Sequence, residues 1–143
     1  MSESKANPVP QGKYVPAVRF GQLIVTAGMT PRKNGVMIFS GKVQKDEPLE
    51  TYREAVRQAA DNALTAARTQ LSEGERIAHV LSMTVYVNAE DGFTAHAKIA
   101  DFASDYLSEE LEDASPMARV SVGVASLPGS APVEIQLMCG IGE

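Results

Sequence analysis

Two stretches of this 143-residue chain carry apolar residues at helical spacing, and one alternating run lies between them. In the first, Val56, Ala59, Ala60, Ala63, Leu64, Ala67 and Leu71 recur every three or four positions. In the second, Phe93 to Leu107, the residues Ile99, Phe102, Ala103 and Tyr106 form one stripe. Between them Leu81, Met83, Val85 and Val87 alternate with Ser82, Thr84 and Tyr86, the period of a strand. A chain with this α-β-α succession packs its helices on a sheet, and the alanines of the first stripe imply a close approach. Thr51-Tyr52-Arg53-Glu54 has the capping-box form for the start of the first helix, with an earlier start at Pro48 as the alternative.

Before the helices, Ala17-Val18-Arg19-Phe20 and Leu23-Ile24-Val25-Thr26 flank Gly21-Gln22, which fits a hairpin with a two-residue turn. Val36 to Phe39, after Asn34-Gly35, reads as a short third strand, and Gly41 to Pro48 as a loop. Residues 1–12 are polar with Pro and Gly, an extended arm on a single domain of residues 1–143. The order β-β-β-α-β-α-β-β predicts an α/β chain, more narrowly α+β, with a mixed sheet and both helices on one face. The other face is left without a cover, and homo-oligomerisation through it follows as an expectation.

The last third contains two more alternating runs. Val120, Val122 and Val124 alternate with Arg119, Ser121 and Gly123; Val133, Ile135 and Leu137 alternate with Glu134, Gln136 and Met138. Leu127-Pro128-Gly129-Ser130 between them predicts a hairpin, with the valines inward and Arg119, Ser121 and Gly123 on the uncovered face beside Ser82, Thr84 and Tyr86. In that register Glu134 lies opposite Ser126, and Arg119 lies roughly 23 Å away at the usual rise per residue. A site using both then has to be shared between subunits.

Composition narrows the function. A formal net charge of −5, with 13 basic residues spread along the chain, argues against nucleic-acid binding, which needs clustered cations. One cysteine, Cys139, excludes an intramolecular disulfide and a multi-cysteine zinc site; in its strand it reads as a core residue. His79 and His96 lack metal-ligand spacing, so no metal is expected. The first residues show no apolar leader and no window approaches a membrane span, which together lead to the expectation of a cytoplasmic protein without membrane contact. Neither a Gly-rich phosphate loop nor a Gly-x-Ser-x-Gly elbow occurs.

Four positions offer chemistry. The planar guanidinium of Arg119 grips a carboxylate through two parallel charge-assisted hydrogen bonds, and the small neighbours Ala118, Ser121 and Gly123 leave room for one; the alternative is a structural arginine. Glu134 is either a solvated strand residue or a carboxylate that orients water. Gly28, after Thr26-Ala27, either ends a strand or lets a ligand approach its backbone. Tyr14 either packs at a strand start or closes a pocket.

Gly12-Lys13-Tyr14-Val15-Pro16-Ala17, Val25-Thr26-Ala27-Gly28-Met29-Thr30-Pro31, Asp61-Asn62-Ala63-Leu64, and Ala118-Arg119 through Leu127-Pro128 to Val133-Glu134-Ile135 together resemble the RidA family, also called YjgF/YER057c/UK114, along nearly the whole chain. The resemblance implies a chorismate-mutase-like fold and a homotrimer with clefts between subunits. It also implies cofactor-free hydrolysis of reactive enamine or imine intermediates, such as 2-aminoacrylate, to 2-keto acids and ammonia. By position, Arg119 matches the arginine that holds the substrate carboxylate, Glu134 the acidic residue associated with the water, Gly28 with Ala27 the backbone contact, and Tyr14 the cleft tyrosine. The chain departs from the family pattern in having Ala27-Gly28-Met29 for Ser-Gly-Gln, Ala97 for an asparagine, and Pro116-Met117-Ala118-Arg119 for Pro-Ala-Arg. Three other readings stand beside hydrolysis: a non-catalytic protein binding a keto acid or amino acid, an RNA-cleaving protein, and a chaperone-like surface.

Overall fold

The computed structural model describes residues 8–143; most of the arm expected over residues 1–12 lies outside them. The main sheet holds β1 (Ala17–Phe20), β2 (Leu23–Thr26), β5 (Arg76–Asn88), β6 (Ala118–Val124) and β7 (Val133–Gly142), in the order β1-β2-β7-β5-β6. Neighbours are antiparallel except for the parallel pair β5 and β6, so the sheet is mixed. The expected two-residue turn at Gly21-Gln22 joins β1 to β2, with Phe20 opposite Leu23. In place of one third strand, β3 (Arg32–Lys33) and β4 (Val36–Met37) form a separate ribbon around Asn34-Gly35. Both turn residues have positive φ, 53° and 80°, the conformation that Asn-Gly favours in a tight hairpin.

Helices α1 (Arg53–Arg68) and α2 (His96–Leu111) cover one face of the sheet, as the stripes require. The six alanines Ala55, Ala59, Ala60, Ala63, Ala66 and Ala67 of α1 are buried, and their small side chains seat the helix on the sheet around Val56, Leu64, Ile135 and Leu137. Truncating one of the larger core residues, such as Leu64→Ala, costs about 2–5 kcal/mol. The capping box does not form. A 3₁₀ turn, Leu49–Tyr52, leads into α1 directly; the Thr51 hydroxyl donates to Glu47, and Glu54 pairs with Arg53. The alternative start at Pro48 is the one observed, with the Thr51 N–H donating to the Pro48 carbonyl.

The last third departs from its expected pairing. β6 and β7 are not a hairpin, because β5, the longest strand, lies between them and pairs with both. Period-two alternation identifies a strand without identifying its partner, and the crossover through α2 delivers β6 parallel to β5 at the sheet edge. The facing of β6 is also inverted. Arg119, Ser121 and Gly123 stand opposite Met83, Val85 and Val87, all fully buried on the helix side, while Val120 and Val122 are exposed on the opposite face. The uncovered face is accordingly more apolar than its sequence suggested: Val18, Phe20, Leu23, Val25, Leu81 and Met138 join the two valines across all five strands.

Candidate functional site

Three segments meet at one end of the sheet. The ladder between β2 and β7 stops at Val25 opposite Met138 and resumes as a single bridge between Met29 and Ile135. Thr26 spans the gap: its hydroxyl accepts the Leu137 N–H at 3.0 Å and donates to the Ala27 carbonyl at 2.8 Å, and the Gln136 amide donates to the Thr26 carbonyl. Ala27 and Gly28 therefore bow away from β7. The Ala27 N–H is taken by the Pro16 carbonyl at 2.8 Å, whereas the N–H and C=O of Gly28 have no hydrogen-bond partner among the described residues. Asn62 fixes the far side of this bow, its amide donating from α1 to the carbonyls of Thr30 (3.0 Å) and Arg32 (2.7 Å).

Glu134 occupies the space Gly28 leaves. A Cβ built on Gly28 would lie 2.5 Å from Glu134 Oε2 and 2.8 Å from its Cδ, closer than van der Waals contact allows. The carboxylate is half-buried, makes no hydrogen bond or ion pair among the described residues, and has its pKa raised by burial. Tyr14 sits two residues before Pro16 at the same end of the sheet. It is 48% exposed and its hydroxyl accepts the Gln11 N–H at 3.0 Å, so within one chain it shapes the entering segment and closes no pocket.

Arg119 is elsewhere. It lies on the edge strand and faces α2, where Nη1 donates to Asp101 Oδ1 at 2.7 Å and Ser104 Oγ at 3.0 Å, and Nη2 donates to the Ala97 carbonyl at 3.2 Å. A guanidinium carries five N–H groups. The Nε–H and one Nη2–H are left without a partner among the described residues, enough for a bidentate grip on a carboxylate. Sequence reasoning missed Asp101 and Ser104. Their spacing with Ala97 on one helix face was visible, but only the tertiary crossing of α2 over β6 aims that face at Arg119.

Arg119 and Glu134 thus lie on opposite faces of the sheet with β5 between them, Arg119 beside Met83 and Glu134 beside Tyr86. Three residues of rise and two strand spacings separate their Cα atoms by about 14 Å, in place of the 23 Å of the expected hairpin. The reason they do not meet in one chain is the facing, and the distance is secondary. Two cavities, of about 10 and 240 Å³, are lined by other residues.

The remaining candidates are accounted for by packing. Cys139 is buried in β7, and burial pushes its thiol up to about 12. His79 Nδ1 lies 2.8 Å from Asp113 Oδ2 and pins the loop before β6. No cluster of three or more metal-ligating side chains occurs among the described residues, and none of their helices is long and apolar enough to cross a membrane.

Known proteins resemble this chain over nearly its full length. A family model described as Endoribonuclease L-PSP matches residues 4–140. The RutC family protein of Sulfurisphaera tokodaii is 29% identical over 138 residues, covering 94% of this chain and 93% of its own. The crystal structure of Atu1372 from Agrobacterium tumefaciens, a protein of unknown function, matches with a TM-score of 0.82 at 27% identity over 91% of this chain and 83% of that one. A putative endoribonuclease from Shewanella oneidensis shares the fold, with a TM-score of 0.85 at 24% identity over 96% and 91% of the two chains.

Proposed function

This chain belongs to the Endoribonuclease L-PSP family, the family also called RidA or YjgF, and we propose that within it the chain hydrolyses small carboxylate-bearing imines, such as that derived from 2-aminoacrylate, to 2-keto acids and ammonia. The observation that carries this reading is the Glu134 carboxylate, half-buried in the space that the missing side chain of Gly28 leaves and without a hydrogen-bond donor among the described residues. Such a group accepts a proton from water more readily than a solvated glutamate does. The imine carbon is already electrophilic, so the demands on the protein are to hold the substrate and to aim one water. Arg119 holds the carboxylate through its two unused N–H groups, and Glu134 takes the proton of the attacking water.

Since the two residues face opposite sides of one sheet, the site in this reading is completed by a second copy of the chain. The broad apolar face that includes Val120, Val122 and Phe20 supports association of copies, and the family resemblance supports reading the assembly as a trimer. The absence of polar side chains at Ala27, Met29 and Ala97 favours a second reading, a carboxylate-binding protein without turnover. RNA cleavage, named in the family's description, is opposed by the net charge of −5.

One assay separates the three. 2-Aminoacrylate is generated with a serine dehydratase and pyruvate is followed with and without the chain, while 2-oxobutyrate binding and RNA integrity are measured on the same preparation. Acceleration of pyruvate release is expected, with RNA intact. Binding without acceleration assigns the protein to the second reading, and RNA cleavage lost in Arg119→Lys or Glu134→Gln overturns both.

A further inference from the structure

The helix-facing side of β6 carries a row of polar groups that the mechanism above does not use. Gly123 stands opposite Val87 and is turned towards α2, and a Cβ built on it would lie 2.7 Å from Nε2 of His96. The imidazole lies in the space that the missing side chain vacates. Phe93 steadies the ring edge-on, with centroids 5.2 Å apart at 73°. His96 makes no hydrogen bond among the described residues, although a half-buried imidazole ordinarily finds a partner. The Ser121 hydroxyl, one position along the same side of β6, has none either among these residues.

This row is continuous with Arg119. The Ala97 carbonyl that accepts from Arg119 Nη2 belongs to the residue next to His96. The guanidinium and the imidazole therefore lie on the same helix-facing side of β6, beside the first turn of α2, with Ser121 between Arg119 and Gly123 along the strand. A 2-imino acid has its nitrogen about two bonds from its carboxylate carbon. Gripped at one end by Arg119 and hydrogen-bonded at its nitrogen, it spans about 8 Å in all if each end makes one ordinary hydrogen bond.

We infer that His96 is the proton donor to the imine nitrogen, a catalytic residue of the same site; this rests on the imine-hydrolase reading. As the water oxygen bonds to the imine carbon, the C=N π pair moves to nitrogen, which takes the proton of protonated His96, while Glu134 takes the proton of the water. In the resulting carbinolamine the proton held by Glu134 passes through solvent to His96, which delivers it to the nitrogen and leaves Glu134 as the carboxylate again; the same exchange resets both groups after each turnover. The C–N bond then breaks, the hydroxyl proton is lost to Glu134, and the keto acid and ammonia leave. One water is consumed and no oxidant or cofactor enters. The small surface of Gly123 is the feature that admits the imidazole, so Gly123 positions it.

The test uses the whole protein and the two histidines of its sequence, His79 and His96. Ring ¹⁵N resonances are followed while pyruvate, whose carbonyl oxygen stands in the place of the imine nitrogen, is titrated in and binding is measured by calorimetry. The His96 resonances are expected to shift with the binding curve, those of His79 to stay, and both effects to vanish in Arg119→Lys. His96→Gln and Gly123→Ala are each expected to lower kcat about 100-fold, within the range for loss of a general acid, with the fold retained by circular dichroism. Pyruvate that does not bind, or that binds without moving the His96 resonances, overturns the inference whatever the turnover assays give. If the wild-type chain hydrolyses no imine and the ring still shifts, the contact stands and only the hydrolase reading fails. Full kcat in both variants removes His96 from the chemistry.

Discussion

Gly28 and Glu134 are in contact across the bow between β2 and β7, and the carboxylate fits there only because residue 28 has no side chain: its Cβ would come within 2.5 Å of Oε2. Gly28 is not among the residues with positive φ, so alanine is compatible with its backbone and the nearest conflict is with Glu134. Gly28→Ala is expected to fold with a melting temperature within a few degrees of the parent while kcat/KM falls about 100-fold, the scale associated with a displacement of about 1 Å at a catalytic group. Steady-state imine hydrolysis beside thermal denaturation checks this. An unchanged kcat/KM contradicts the role given to the contact.

The raised pKa of Glu134 has consequences of opposite sign for activity and stability. Because the carboxylate form takes the water's proton, kcat/KM is expected to rise with pH through an acid limb above the ordinary glutamate range. Burial makes the folded chain hold this proton more tightly than the unfolded chain does. The group's contribution to stability is therefore full below the unfolded pKa and is lost as pH rises through the folded one. Above the folded pKa the chain bears the cost of burying the charge, and there Glu134→Gln is expected to raise the melting temperature. Below pH 4 the two proteins are expected to melt together. A variant less stable than the parent at pH 7 contradicts the burial argument.

Asp101 positions Arg119 from α2 but is itself largely exposed, and Ser104 and the Ala97 carbonyl remain when it is removed. Asp101→Ala is expected to raise KM about 5-fold with kcat changed less than twofold, the signature of weakened substrate holding. A fall in kcat at constant KM contradicts this assignment.

Much of the architecture is legible in the residues. The alanine stripe of α1 and the inward set Met83, Val85 and Val87 follow from side-chain periodicity and appear where it puts them; Leu81, expected with that set, is turned to the exposed face because the register shifts between Val80 and Ser82. The capping box at Thr51 fails because the preceding residues already form a 3₁₀ turn, so the helix start is not a free end needing a side-chain cap. Strand β6 illustrates a deeper limit. Its alternation separates Val120 and Val122 from Arg119 and Ser121, yet which set faces the core depends on the register against Met83 and Val85, and that register is tertiary. Arg119 and Glu134 stand out in the sequence as candidates by type and spacing. Asp101, Ser104 and His96, which meet β6 only because α2 crosses it, do not.

The apolar face offers a direct probe of assembly. Val122 is 40% exposed on that face, beside Tyr86. A lysine there leaves the core behind the sheet untouched and charges the surface that a second copy covers in the proposed assembly. Val122→Lys is expected to scatter light as a single chain in dilute buffer, where the parent scatters at about three times the chain mass, and to lose most imine hydrolysis with unchanged circular dichroism. A parent protein that is itself monomeric at micromolar concentration contradicts the shared site.

Sharing of the site between copies is the central claim, because within one chain Arg119 and Glu134 face away from each other. The most direct measurement mixes two inactive variants. Arg119→Lys and Glu134→Gln are refolded separately and together, mixed trimers are verified by mass spectrometry, and imine hydrolysis is measured. In a random equal mixture about a quarter of the interfaces in a cyclic trimer join a native arginine to a native glutamate. Recovery to about that fraction of the parent rate is the expected result. Verified mixed trimers no more active than either variant alone would contradict the account.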